Sequence, residues 1–175
     1  MITFTAPTAT RRSGRLADVL HVCFVCSGNI CRSPIAALVF GAVLEKEGLA
    51  DRVRVTSAGI GPWHVGDPAD RRARRVLSAH GYPTAHVAAQ VDEDHLSADL
   101  LVAMDAGHEA ALRDLLTHQG DGDERVRMLR SFDPAASSDL DVPDPYYGDF
   151  AGFDEVLAMV EAAMPGLVEW VRTRS

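Results

Sequence analysis

A thiol and a guanidinium, Cys26 and Arg32, stand with five residues between them in the run Cys26-Ser27-Gly28-Asn29-Ile30-Cys31-Arg32-Ser33-Pro34. That spacing suits a thiol that attacks a bound phosphate. A phosphate dianion needs several backbone N–H donors and a bidentate cation. Residues 27–32 can wrap their amides around it, and a helix opening behind them adds its dipole. Arg32 offers a planar fork matched to two phosphoryl oxygens, a geometry that lysine lacks. The same field favours a nucleophilic thiolate at Cys26. Gly28 is read as permitting the tight path, and Asn29 as tolerating a left-handed backbone. No Gly-rich loop ending in Lys-Ser/Thr is present, so ATP and GTP are not the expected ligands. A buried structural cysteine beside a helix-starting arginine is the bland alternative, and it leaves the rest of the run unexplained.

Such a loop must be carried by a strand and a helix, and the flanking pattern supplies both. An apolar strand over 19–25 runs into Cys26. A helix is predicted from Ser33, with Pro34 in its first turn and Ile35, Leu38, Val39, Ala42 and Val43 on one face, ended by Gly48. Further strands are predicted over 52–57, 100–104 and 125–129, with helices over 68–79 and 106–116. The alternation reads as βαβ units around a parallel sheet, in which ligands sit beyond the carboxyl ends of the strands. A long Asp- and Pro-rich loop over 133–150 contains Asp144-Pro145-Tyr146-Tyr147-Gly148, and loops of that length are commonly functional. The last helix repeats Phe153, Val156, Leu157, Val160 and Met164, with a kink or break expected at Pro165.

The chain of 175 residues, 47% hydrophobic and 24% charged, is sized for one globular domain. Its net charge of −8 argues against nucleic acid or an anionic membrane as the main partner. All three cysteines, Cys23, Cys26 and Cys31, fall in one short stretch, which is neither a disulfide framework nor a zinc site. Such thiols fit a reduced, cytoplasmic protein whose cysteines do chemistry, so no metal or cofactor is expected. No apolar run approaches the roughly 18 residues of a membrane helix. Residues 1–18 lack the apolar core of a signal peptide and read as a mobile extension ahead of a single domain over 19–175. The run Arg71, Arg72, Arg74 and Arg75 reads as a solvated helix face. Without an interface stripe, a monomer is expected.

The segment from Cys26 to Pro34 resembles the signature of the low-molecular-weight protein tyrosine phosphatases. The resemblance continues through Ser57-Ala58-Gly59, Trp63-His64, 67–71, His86-Val87 and Asp144-Pro145-Tyr146-Tyr147, and so spans residue 19 to the C-terminus. Trp63-His64-Val65-Gly66 and the stretch 129–134 look most like actinobacterial members. The resemblance implies a three-layer α/β fold: a four-stranded parallel sheet with helices on both faces and a phosphate-binding loop between the first strand and the first helix.

It also implies two-step phosphoryl transfer. Cys26 would attack phosphorus, Arg32 and the amides of Ser27, Gly28, Asn29, Ile30 and Cys31 would hold the equatorial oxygens, and Asp144 would act as general acid and then base. Considered alone, Asp144 would be a turn-forming residue before Pro145, with Asp139 and Asp141 as rival carboxylates. Ser33 would hydrogen-bond the Cys26 sulfur, while Asn29, Ser57 and His86 would brace the loop. Asp105 is read as either part of that support or a helix N-cap. Trp63, Tyr146 and Tyr147 would wall the cleft around a substrate ring. Cys31 could form a reversible disulfide that guards the nucleophile. Cys23 is read as core.

The implied partners are tyrosine-phosphorylated proteins and a tyrosine kinase acting on Tyr146 or Tyr147. Export without a recognisable signal peptide is a further implication, drawn from actinobacterial relatives. An arsenate reductase of the same fold, coupled to an external thiol, is the alternative activity. A phosphotyrosine-binding module that has lost catalysis is another, and the joint presence of Cys26, Arg32 and Asp144 speaks against it.

Overall fold

The computed structural model describes residues 19–120 and 123–174, so the extension expected over 1–18 lies outside the described residues. Four strands form one all-parallel sheet: β1 (Leu20–Cys26), β2 (Val53–Gly59), β3 (Leu100–Ala103) and β4 (Val126–Met128), in the order β2-β1-β3-β4. In register, Leu20 pairs with Val53 and Cys26 with Gly59, while Val25 pairs with Ala103 on the other side. β1 is therefore paired along both edges and buried on both faces, which accounts for its nearly unbroken apolar sequence.

Alternation along β1 divides the core in two. Val22, Phe24 and Cys26 face the layer of α1 (Arg32–Lys46), α2 (Arg71–Ala79) and α5 (Phe150–Arg172). Cys23 and Val25 face the opposite layer, formed by α3 (Glu93–Leu96) and α4 (Ala106–His118), where Leu112 and Leu116 pack on Leu101 and Val126. Cys23 is core, as expected, and burial pushes its thiol up to about 12.

Several elements depart from the sequence expectations. The buried face of α1 is Ile35, Ala36, Val39, Phe40 and Leu44, so Leu38, Ala42 and Val43 lie only at its half-buried margin. α2 starts at Arg71, not Pro68, because the Asp70 carboxylate accepts the Arg72 N–H at 2.8 Å and caps the helix there. α3, a single turn capped by Asp92 and His95, was not expected at all. α5 runs unbroken through Pro165. The ring lies on the exposed side of the helix, so the carbonyl it deprives of a partner can face water, while Leu167, Val168, Trp170 and Val171 are buried beyond it. Gly48 and Gly81 adopt φ of +70° and +79° and close α1 and α2 as read.

Candidate active site

The loop over 27–31 leaves the carboxyl end of β1 and enters α1, whose first turn carries no acidic residue. The orphan N–H groups of that turn and the loop amides are therefore available to an anion. A cleft of about 390 Å³ opens over the loop and is lined by Cys26, Ser27, Gly28, Ile30, Cys31 and Arg32. Trp63, His64, Asp144, Tyr146 and Tyr147 form its other walls. Residues over a hundred positions apart in sequence thus meet in one cavity of ordinary ligand size.

Inside the loop, Cys26 Sγ lies 3.0 Å from Ser33 Oγ. Asn29 takes the left-handed φ of +58° that its residue type suggested. Its side chain is fully buried and turns away from the cleft. Nδ2 donates to Ser33 Oγ (2.8 Å) and Ser57 Oγ (2.9 Å), and Oδ1 accepts the Ala89 N–H (2.9 Å). The Asn29 carbonyl accepts from His86 Nε2 at 2.7 Å, which places the proton of that ring on Nε2. Burial lowers the His86 pKa, which favours this neutral tautomer. Asn29, Ser33, Ser57 and His86 are thus joined by hydrogen bonds around the loop, with Ser33 next to the Cys26 sulfur.

Gly28 departs from its expected role. It is not among the residues with positive φ, so conformational freedom is not what the position requires. A Cβ there would stand 2.8 Å from His64 Cδ2, so glycine makes room for an imidazole wall. Gly59, at the end of β2, is a close-approach position too, since a Cβ would lie 2.8 Å from the Ser27 carbonyl oxygen.

Arg32 is 4% exposed along its side chain, and Nη1 donates to Asp105 Oδ2 and to the Val142 carbonyl, each at 2.9 Å. Both readings of Asp105 hold, because its Oδ1 also caps α4 by accepting the His108 N–H at 2.9 Å. Burial would raise the Asp105 carboxyl, but the His108 backbone and imidazole and Arg32 outweigh it and hold it below the usual carboxylate value. With Nη1 occupied, Nη2 of Arg32 faces Asp144, whose Oδ2 stands 3.6 Å away.

Three aspartates competed for the acidic role in the 133–149 loop, and geometry separates them. Asp141 Oδ1 accepts the Ala106 N–H (2.8 Å), and Asp139 Oδ1 accepts the Asp141 N–H (3.0 Å). Neither lines the cleft, whereas Asp144 does. The turn role of Asp144 is also real, since Oδ1 accepts the Tyr146 N–H at 3.0 Å. Val142 N–H donates to the Met104 carbonyl (2.8 Å), which ties this loop to the end of β3, and Arg130, just after β4, donates to the Asp139 and Asp141 carbonyls.

Trp63 (70% exposed) and Tyr147 (90% exposed) stand at the rim, with the Tyr146 and Tyr147 rings edge to face at 4.9 Å. Cys31 lines the same cleft as Cys26, and burial pushes its thiol up.

The sequence reading missed three residues. His64 forms a wall over Gly28, with its ring 6.3 Å from that of Tyr146. His108, 5% exposed, places Nε2 2.9 Å from Ser27 Oγ, and burial lowers its pKa to about 4. Its Nδ1 lies 3.2 Å from Asp105 Oδ1 but makes no hydrogen bond. Position three of a capped helix was the available signal for His108. Arg72, read as part of a solvated face, instead spans the groove between α2 and the Asp144 loop and donates to the Tyr146 (2.9 Å) and Gly148 (3.0 Å) carbonyls.

The chain matches the family described as low molecular weight phosphotyrosine protein phosphatase over residues 21–175. It is 59% identical over 160 residues to the low molecular weight protein-tyrosine phosphatase A of Mycobacterium tuberculosis, covering 91% of this chain and 96% of that protein. It is 55% identical over 154 residues to the low molecular weight protein-tyrosine-phosphatase of Streptomyces coelicolor, covering 87% and 93%. A crystal structure of a protein tyrosine phosphatase from Entamoeba histolytica superposes with a TM-score of 0.82 at 31% identity, covering 88% of this chain and 97% of that one.

Proposed function

Because the chain belongs to the low molecular weight phosphotyrosine protein phosphatase family, we propose that Cys26, Arg32 and Asp144 move a phosphoryl group from tyrosine to water in two steps. The protein is a protein tyrosine phosphatase, a phosphoric monoester hydrolase whose substrates are phosphotyrosine-bearing proteins. Cys26 Sγ attacks phosphorus opposite the ester oxygen, so that a P–S bond forms as the P–O bond to tyrosine breaks. Asp144 gives its proton to the departing phenolate oxygen. Arg32 and the amides of residues 27–32 hold the three equatorial oxygens while charge redistributes. In the second step ionised Asp144 takes a proton from the attacking water, the P–S bond breaks, and inorganic phosphate leaves. The Ser33 hydroxyl, 3.0 Å from the sulfur, then stabilises the departing thiolate.

The observation that carries this reading is the convergence of Cys26, Arg32 and Asp144 on one cleft, with Arg32 Nη2 3.6 Å from the Asp144 carboxylate. The aromatic and imidazole walls supply a reason for aryl esters: a phenyl ring can stack on them while its phosphate sits in the loop. Hydrolysis of an aryl phosphate by wild type, Cys26→Ser and Asp144→Ala tests the assignment. Loss of activity in the first variant and a slowed first step in the second are expected; full activity in Cys26→Ser refutes the mechanism. The arsenate reductase alternative is not retained, since the matched family and relatives are phosphatases.

Cys31 serves as a redox guard in this proposal. Peroxide converts the Cys26 thiol to a sulfenic acid and water, and condensation with the Cys31 thiol releases a second water and forms a disulfide. Tyr147, exposed at the rim, suits modification by a tyrosine kinase better than half-covered Tyr146. All three cysteines are free and buried, which fits a reducing compartment such as the cytoplasm. No helix of the described residues is long and apolar enough to cross a membrane. Action as a monomer completes the proposal.

A further inference from the structure

We propose that Arg72 is a positioning residue for Asp144, a clamp by which the first turn of α2 holds the proton-donor loop over the nucleophile loop. The inference rests on the reading of Asp144 as general acid and adds to it the means by which that acid is held in place.

The start of α2 is stitched to the phosphate loop, because the Asp70 N–H donates to the Ile30 carbonyl at 2.8 Å. The Asp70 carboxylate then fixes Arg72 along one edge. Its Oδ1 accepts from Arg72 Nε and its Oδ2 from Nη2, each at 3.0 Å. This bidentate pairing sets the plane of the guanidinium, which also lies 4.6 Å above the Phe153 ring. From that plane Nη2 reaches the Tyr146 carbonyl and Nη1 the Gly148 carbonyl. Those carbonyls belong to the tight turn that follows Asp144.

The other hydrogen bonds of that turn are internal: Tyr146 N–H to Asp144 Oδ1 and Gly148 N–H to the Pro145 carbonyl. Among the described residues, the hydrogen bonds that carry 144–148 to another element both end on Arg72. The ion pair between Arg32 and Asp144, at 3.6 Å, is the contact a phosphate on Arg32 would compete for. Arg72 stands outside the cleft lining, so its hold on the turn survives substrate binding. Lysine could not keep both carbonyls and the paired carboxylate at once.

A group that only positions the acid matters in proportion to the need for proton donation. The experiment compares kcat/KM over a series of aryl phosphates, from dinitrophenyl to phenyl, for wild type, Asp144→Ala, Arg72→Met and Arg72→Lys, with a thermal melt of each. Arg72→Met keeps the apolar stem over Phe153 and removes the donors. Displacement of a catalytic group by about 1 Å can cost 10²-fold, so a loss of about tenfold or more is expected on phenyl phosphate. On dinitrophenyl phosphate, whose phenolate leaves unprotonated, a loss under about threefold is expected, and Asp144→Ala should steepen the same dependence further. Arg72→Lys should fall between wild type and Arg72→Met; should Arg72→Met fail to fold, Arg72→Lys is judged by the same contrast between substrates.

An equal loss on every leaving group, or no loss, overturns the clamp while wild type and Asp144→Ala still support the acid. If Asp144→Ala leaves the leaving-group dependence unchanged, the assignment of the acid fails and the clamp with it.

Discussion

Replacing Asn29 by alanine removes the centre of the loop's support, and its cost can be worked from the contacts. Asn29 is fully buried at φ +58°, donates to Ser33 and Ser57, and accepts from the Ala89 N–H. A left-handed backbone costs a residue with a plain Cβ about 1–2 kcal/mol. Leaving the half-buried Ala89 N–H without its acceptor costs about 1–3 kcal/mol more. The sum, about 2–5 kcal/mol, corresponds to a fall in Tm of about 4–20 °C for a chain of this size. Asn29→Gly separates the two causes, since glycine takes positive φ freely but supplies no side chain. It should recover about 1 kcal/mol of the alanine loss and leave the rest. Activity should fall in both, because Ser33 Oγ sits between Asn29 Nδ2 and the Cys26 sulfur and loses its orientation. Urea unfolding and aryl phosphate turnover of the three proteins decide the matter. Alanine and glycine variants of equal stability would refute the strain component; an alanine variant within about 0.5 kcal/mol of wild type would refute the whole account.

At Gly59, a Cβ would stand 2.8 Å from the Ser27 carbonyl oxygen, so Gly59→Ala must push the loop backbone outward toward ordinary contact at 3.4 Å. A loss of about 1–3 kcal/mol in stability together with a marked fall in kcat is expected, and wild-type Tm with wild-type kinetics would contradict it. His108 faces Asp105, Arg32, Asp144 and Asp141, and burial holds its pKa near 4 against an ordinary 6.5. The unfolded chain therefore takes up a proton below pH 6.5 that the folded one refuses until about pH 4, so stability falls with falling pH through that window. The His108 share is about 2 kcal/mol at pH 5.0, to be seen as a shallower acid loss in His108→Gln than in wild type; parallel curves would exclude it. His21 and His86, also lowered mainly by burial, add the same sign in both proteins. After peroxide and then dithiol, wild type should regain activity that Cys31→Ser does not, and equal recovery would remove the guard role.

Much of the site was legible because it is local. From Cys26 to Pro34, thiol, glycine, asparagine, arginine and helix start are consecutive, and the left-handed residue could be named because few types besides glycine and asparagine accept that backbone. The 3.6-residue repeat of α5 exposed its buried face for the same reason. Gly28 was misread because residue type suggests a small side chain without saying whether torsion or crowding demands it; crowding comes from His64, well downstream. The helical continuity at Pro165 escaped because it depends on which side of α5 faces water.

Long-range selection is what local pattern could not supply. Asp139, Asp141 and Asp144 are chemically alike and close in sequence; they part only where β3 ends, because Ala106 N–H claims Asp141 and leaves Asp144 beside Arg32. Arg71, Arg72, Arg74 and Arg75 look like one solvated face until α2 docks against the Tyr146 turn and Arg72 finds two carbonyls there. His108 becomes neutral and buried only when α4 lays its first turn on Ser27. Side-chain chemistry and short spacings therefore specify a nucleophile, a phosphate cradle and the sheet that carries them. Which carboxylate comes to stand beside Arg32, which arginine bonds the turn that follows it and which histidine is buried follow from contacts between segments far apart in the chain. Their energies exist only once the sheet has brought those segments together.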